Sequence, residues 1–154
     1  MTKTIYIDTG VLGLITHPNA SLEVKQVREW VLTMETAGHR LVVPAVADYE
    51  LRRELIRSPQ KKGLMRLDEF IAAKPNRFLS ITDDALKSGA ELWAEARNKG
   101  KPSAEDPALD GDVLLCAQIR LLETACSAYV VATTNLKHLG LYVHAKHWWD
   151  IHPS

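Results

Sequence analysis

Cysteine is scarce in this chain: of 154 residues only Cys116 and Cys126 are thiols, ten apart in apolar stretches with no secretion signal before them. A disulfide framework is excluded as the organising device, and two reduced core thiols are expected. Net charge is missing as well, nineteen Lys and Arg standing against nineteen Asp and Glu. That balance excludes a histone-like or polybasic membrane binder, although local patches survive a neutral total. No uncharged apolar run approaches the ~20 residues of a membrane helix. The opening Met-Thr-Lys-Thr-Ile-Tyr-Ile-Asp enters a strand pattern at once, without the apolar stretch of a signal peptide. Internal repeats and low-complexity segments are absent. The six histidines include no Cys/His set spaced for zinc, and His144 and His147 beside Trp148 and Trp149 read as a C-terminal segment packed on the domain. What remains is 46% hydrophobic and 25% charged, the make-up of one soluble globular domain over residues 1–154, expected in the cytoplasm. At this length a single core buries roughly 68–70% of the unfolded surface.

Short apolar segments alternate with amphipathic ones. Thr4 to Asp8 reads as a buried strand, with Gly10 and Gly13 loosening the residues after it. Val27, Trp30, Val31 and Met34 recur at helical spacing within Leu22 to Ala37, and Gly38 stops that helix. Leu41 to Val43 is a second strand ended by Pro44; helices follow over Ala45 to Arg57, stopped by Ser58-Pro59, and over Lys62 to Ala73. Phe78 to Ile81 is a third strand, and Thr82 caps the helix carrying Leu86, Ala90 and Trp93. A loop is expected over Asn98 to Ser103, a long apolar helix over Asp110 to Thr124, a strand over Tyr129 to Ala132 and a last strand near Leu141 to Val143. Alternating strands and helices imply a mostly parallel sheet covered on both faces. Ligand sites of such sheets form where the strands' C-terminal ends meet.

Several polar residues fall at that edge. Asp8 follows Ile5-Tyr6-Ile7 directly, where it is either a functional acid or a turn former beside Thr9-Gly10. Glu50 sits inside a helix between Tyr49 and Leu51, with a solvated face paired to Arg53 as its alternative. Asp112 opens the run Val113-Leu114-Leu115-Cys116-Ala117, two residues after Asp110. At ~100° per residue the two aspartates point about 200° apart, so one faces the sheet edge and the other caps; Asp112 is the first choice and Asp110 the second. Thr133-Thr134-Asn135 ends a strand, as a polar turn or as oxygens that join the acids. Converging carboxylates repel unless a cation or proton neutralises them. Hard oxygen donors suit Mg²⁺ or Mn²⁺, which can orient and polarise a phosphodiester.

With these segments in order, the sequence resembles the PIN-domain ribonucleases, the family that includes the VapC-type toxins. Ile7-Asp8-Thr9-Gly10-Val11-Leu12 is similar to the opening strand-and-acid motif, Glu50-Leu51-Arg52-Arg53-Glu54-Leu55 to the glutamate helix, Asp112-Val113-Leu114-Leu115-Cys116-Ala117 to the Asp-x-x-Ile-Ala-Ala helix start, and Thr133-Thr134-Asn135 through Leu139 to the late Thr-x-Asp/Asn segment. The resemblance implies a PIN-like three-layer α/β/α fold and an Mg²⁺- or Mn²⁺-dependent endoribonuclease. Asp8, Glu50 and Asp112 would hold the metal, with Asp110 in reserve and Asn135 as the fourth catalytic position. Cleavage would leave a 5′-phosphate and a 3′-hydroxyl. Thr9, Thr133, Arg53 and Lys137 are the expected RNA contacts, Arg53 belonging to a basic stretch from Arg52 to Arg66. Two departures stand out: Gly10 replaces the usual asparagine, and Asn135 stands where many members carry an aspartate, so one well-held metal is expected. The resemblance also implies a homodimer and an antitoxin. An antitoxin segment would fill a groove on the helices from Leu22 and Leu64 and set a basic residue against the acids.

Two other readings compete. Gly10 and Asn135 favour a PIN-fold module that binds RNA or protein with weak or no catalysis. A phosphatase using Asp8 as nucleophile would want a second acid two residues later, where Gly10 stands.

Overall fold

The first strand decides the architecture. In β1 (Thr4–Ile7) the side chains of Ile5, Tyr6 and Ile7 are all buried, which a strand reaches only with both of its faces covered. It lies at the centre of a five-stranded sheet with β2 (Arg40–Pro44), β3 (Phe78–Leu79), β4 (Tyr129–Thr133) and β5 (Ala145–His147). The order is β3-β2-β1-β4-β5 and every neighbouring pair runs parallel. The structure is a computed structural model that describes residues 2–99 and 106–154. Among the described residues no helix is long and apolar enough to cross a membrane.

The helices are α1 (Thr9–Thr16), α2 (Leu22–Thr36), α3 (Ala45–Arg57), α4 (Lys62–Ala72), α5 (Asp83–Asn98), α6 (Asp106–Leu122) and the single turn α7 (Leu136–Leu139). Caps set several starts: Ser21 Oγ accepts from Val24 N–H and Thr82 Oγ1 from Ala85 N–H. Helix α2 buries Val24, Val27, Trp30, Val31 and Met34 along one stripe. It is closed by Gly38 at φ 93°, a left-handed conformation that favours glycine. The C-terminal segment packs down through Trp148 and Ile151, whereas Trp149, expected to pack with them, is 49% exposed. Trp148 is buried edge-on to Trp30 at 5.9 Å, and Trp30 Nε1 donates to the Ile151 carbonyl at 3.0 Å.

Four expectations are corrected. The segment after Asp8 is the helix α1, whose glycines disguise it. Helix α6 begins at Asp106 rather than Asp110, which moves both aspartates out of the first turn. The last strand is Ala145–His147, whereas Leu141 is 72% exposed and Val143 N–H bonds back to Leu139. Both cysteines are free, but only Cys116 is buried; Cys126 is exposed. Of the expected loop, Asn98 closes α5 and residues 100–103 lie outside the described residues.

Topology points to one place for a site. From β1 the chain steps outward to β2 and β3, then returns to the other side of β1 for β4 and β5. The order therefore reverses between β1 and β4, and the crevice beyond their C-terminal ends is where open α/β sheets bind ligands. Asp8 and Thr133 stand there.

Candidate active site

Asp8 ends β1 and caps α1. Its Oδ1 accepts the Thr9 backbone N–H at 2.7 Å and its Oδ2 accepts the Thr133 hydroxyl at 2.7 Å. Of the two alternatives the sequence left open at Asp8, the helix cap is present, and the capping carboxylate stands at the C-terminal edge of the sheet. Thr133 in turn accepts the Asn135 N–H at 3.0 Å. The neighbouring hydroxyl of Thr9 donates to Glu50 Oε1 at 2.9 Å, tying the helix α3 acid to the first turn of α1. The opposite oxygen of Glu50 lies against Gly111 of α6, where an added Cβ would collide with it and stand 2.8 Å from the carboxyl carbon. Only glycine at 111 lets α6 approach Glu50 this closely.

Asp112, one residue on, completes the group. Burial pushes its carboxyl up to about 7, and the charges of Asp8 and Glu50 push in the same direction. Burial also raises Asp8, against the lowering effect of the Thr133 and Thr9 hydrogen bonds. Glu50 is raised by burial and by Asp8, and lowered by its Thr9 bond and by Arg53. The three acids share one neighbourhood of like charge, and none forms an ion pair with a described residue. Among the described residues no three His, Cys, Asp or Glu side chains are already gathered as a metal cage. The donor set nevertheless fits a hard cation: Mg²⁺ takes one or two carboxylates and keeps its waters, so a closed cage is not required.

The other candidates are placed differently. Asp110 is exposed, on the far side of α6 from half-buried Asp112, as the helical angle requires. The side-chain oxygen of Asn135 caps α7, accepting Lys137 N–H at 3.1 Å. Exposed Lys137 follows it. Exposed Arg53 stands over the Tyr49 ring at 5.4 Å, with Glu50 one turn before it. Arg52, inside the same basic stretch, is committed elsewhere, bound to Asp48 at 3.0 Å and to Asp68 at 2.8 Å.

One contributor had escaped the sequence: Gly111, whose only signal was its place between two aspartates. Thr134, named there only within its polar triplet, has its hydroxyl in the space a Cβ on Gly10 would need.

The whole chain has structural counterparts. FitAcB from Neisseria gonorrhoeae matches with a TM-score of 0.65 over 96% of this chain and 99% of that chain, at 18% identity. VapBC2 from Rickettsia felis, bound to a DNA fragment from its promoter, matches at 0.65 over 94% and 98%, at 14% identity. VapBC-1 from nontypeable Haemophilus influenzae matches at 0.66 over 96% and 99%, also at 14% identity. No protein-family model matches the sequence, and no curated protein does. What is shared at these identities is the fold, and the chain has the PIN-like α/β fold that its motifs suggested.

Proposed function

We propose that the chain is a divalent-metal-dependent endoribonuclease and the toxin member of a toxin–antitoxin pair. The observation that carries this reading is that Asp8, Glu50 and Asp112, from three separate elements, share one neighbourhood of like charge at the switch point of the sheet, and none forms an ion pair with a described residue. Mg²⁺ or Mn²⁺ bound there would polarise a phosphodiester and lower the pKa of an attacking water. The chain's own residues supply position. Thr133 and the Thr9 N–H fix both oxygens of Asp8, and the Thr9 hydroxyl fixes Glu50. That assigns Thr9 and Thr133 to orienting the acids ahead of touching RNA. Arg53 and Lys137 remain exposed and free to meet phosphates. Arg52 is spent on Asp48 and Asp68.

An antitoxin partner is supported by the neighbouring VapBC and FitAB structures and by the ground beside the acids. A cavity of about 400 Å³ runs from Gly10 past Gly13, Leu14, Leu51 and Leu55 to Gly63. A segment with apolar side chains for this cavity and a basic residue for the acids would fill both. On α2, by contrast, the unpartnered apolar side chains are Leu22 and Leu32.

A binding module without catalysis is the second reading, favoured by the engagement of the Asn135 side-chain oxygen in capping α7. One experiment separates them: a mixed RNA pool incubated with the protein in Mg²⁺, Mn²⁺ or EDTA, with Mn²⁺ affinity measured by calorimetry. Metal-dependent cutting and one ion per chain are expected. Neither cutting nor ion binding leaves the module.

A further inference from the structure

At the opposite end of the sheet, where the strands begin, the charge is inverted. Lys3 precedes β1, His144 precedes β5 and Lys146 lies within it; with His39, Asp150 and His152 they line a cavity of about 90 Å³. A single water needs only ~10–15 Å³ on this measure, so there is room for several waters or one tetrahedral anion.

The walls are fixed. His39 Nδ1 accepts the Lys3 backbone N–H at 3.0 Å, so its proton sits on Nε2, which donates to the Pro153 carbonyl at 2.9 Å. That buried ring clasps the segment before β1 to the C-terminal segment. The His144 backbone N–H is likewise taken, by the Tyr129 hydroxyl at 2.9 Å. The cationic groups are not taken: neither Lys3 nor Lys146 forms an ion pair with a described residue. Lys3 and Lys146 both line the cavity, and burial and the charge of the two lysines lower the proton affinity of His144 between them. Asp150 is the one lining side chain of opposite sign, and Ser154, the last residue of the sequence, also lines the cavity.

We propose that this cavity is a binding site for a phosphate group, either inorganic phosphate or the terminal phosphate of a nucleotide. Two lysines and the imidazoles of His144 and His152, offered from separate segments, match oxygens that point in several directions, whereas His39 is spent on Lys3 and Pro153. Apolar walls at Ile5, Val130 and Ile151 keep bulk water off one side and strengthen each charge-assisted bond. The proposal is independent of the acid site.

The test is calorimetric titration of the full chain with inorganic phosphate, 5′-AMP and adenosine at constant ionic strength. Phosphate is expected to bind, and Lys3→Met and Lys146→Met each to weaken it by about three- to fivefold, the scale of one partly screened charge pair. Asp150→Asn is expected to tighten it by a similar factor, and Asp112→Asn to leave it unchanged. Lys146→Arg keeps the charge and retains binding, which separates loss of charge from loss of fold. Binding of 5′-AMP as well as phosphate identifies the nucleotide as the source, and binding of phosphate alone identifies the free ion. Absence of phosphate binding overturns the proposal, as does an affinity indifferent to both Lys→Met changes and to Asp150→Asn.

Discussion

Helix α3 carries two acids two residues apart, Asp48 turned toward α4 and Glu50 toward α1 and α6, and they are treated in opposite ways. Asp48 is buried and fully answered: Arg52 reaches back one turn with two hydrogen bonds of 3.0 Å and also clasps Asp68 of α4. Glu50 receives a threonine hydroxyl, feels the charge of exposed Arg53 without an ion pair to it, and faces two more carboxylates. The first arrangement joins two helices. The second raises the energy of the folded chain in the absence of a cation, and a fold tolerates such a cluster where a ligand is to supply the missing charge.

The contrast can be broken from either side. The largest effect is expected at the unanswered cluster. Asp112→Asn should lower metal-dependent RNA cleavage by about a hundredfold or more, while raising the melting temperature of the metal-free protein at pH 8 by removing one of three like charges. Cleavage at the parental rate would end the assignment of Asp112. At the answered acid the sign reverses. Arg52→Ala strands Asp48 and should cost about 1.5–3 kcal/mol, read as a melting-temperature drop of roughly 3–12 °C for a chain of this length. RNA cleavage per folded molecule should not change.

Thr9→Val comes next. It frees Glu50 from its hydroxyl tether while keeping the backbone N–H to Asp8, and Mn²⁺ affinity should fall by about tenfold. Calorimetry would show it, and an unchanged dissociation constant would reduce Thr9 to a helix residue.

The smallest effect is on pH. The folded state binds a proton at Asp112 more tightly than the unfolded chain, with its carboxyl at about 7 against an ordinary 3.8. Stability from this group is therefore complete below about pH 4 and is lost as the pH rises through 7. In EDTA the melting temperature should fall by a few degrees between pH 5 and pH 8. Asp112→Asn should flatten that slope, and Mn²⁺ should reverse it above pH 7.

How far the sequence could be read depended on what each signal reports. Helix α3 is bounded as expected, Ala45–Arg57, because Pro44 and Ser58-Pro59 bracket it chemically. Helix α1 was hidden because Gly10 and Gly13 look like breakers, whereas Gly10 serves a contact with Thr134, 124 positions away in the chain. Strand β5 escaped because an edge strand of three partly exposed residues, Ala145, Lys146 and His147, shows no apolar run, while Leu141 to Val143 does. The place of Asp8 at the C-terminal end of β1 was legible because the apolar run Ile5-Tyr6-Ile7 stops there. The tether from Thr9 to Glu50 and the approach of Gly111 were not, since both depend on how closely α1, α3 and α6 pack, which residue spacing along one helix does not encode.

The hydrogen bond from Thr133 to Asp8 joins positions 125 apart in sequence, and β1 waits as long for its β4 neighbour. A growing polypeptide therefore carries Asp8 for 125 residues before Thr133, which braces it, is made. Contacts of such long reach form late. For a protein proposed to cut RNA, that order of synthesis would delay assembly of the candidate centre well beyond the appearance of its first acid.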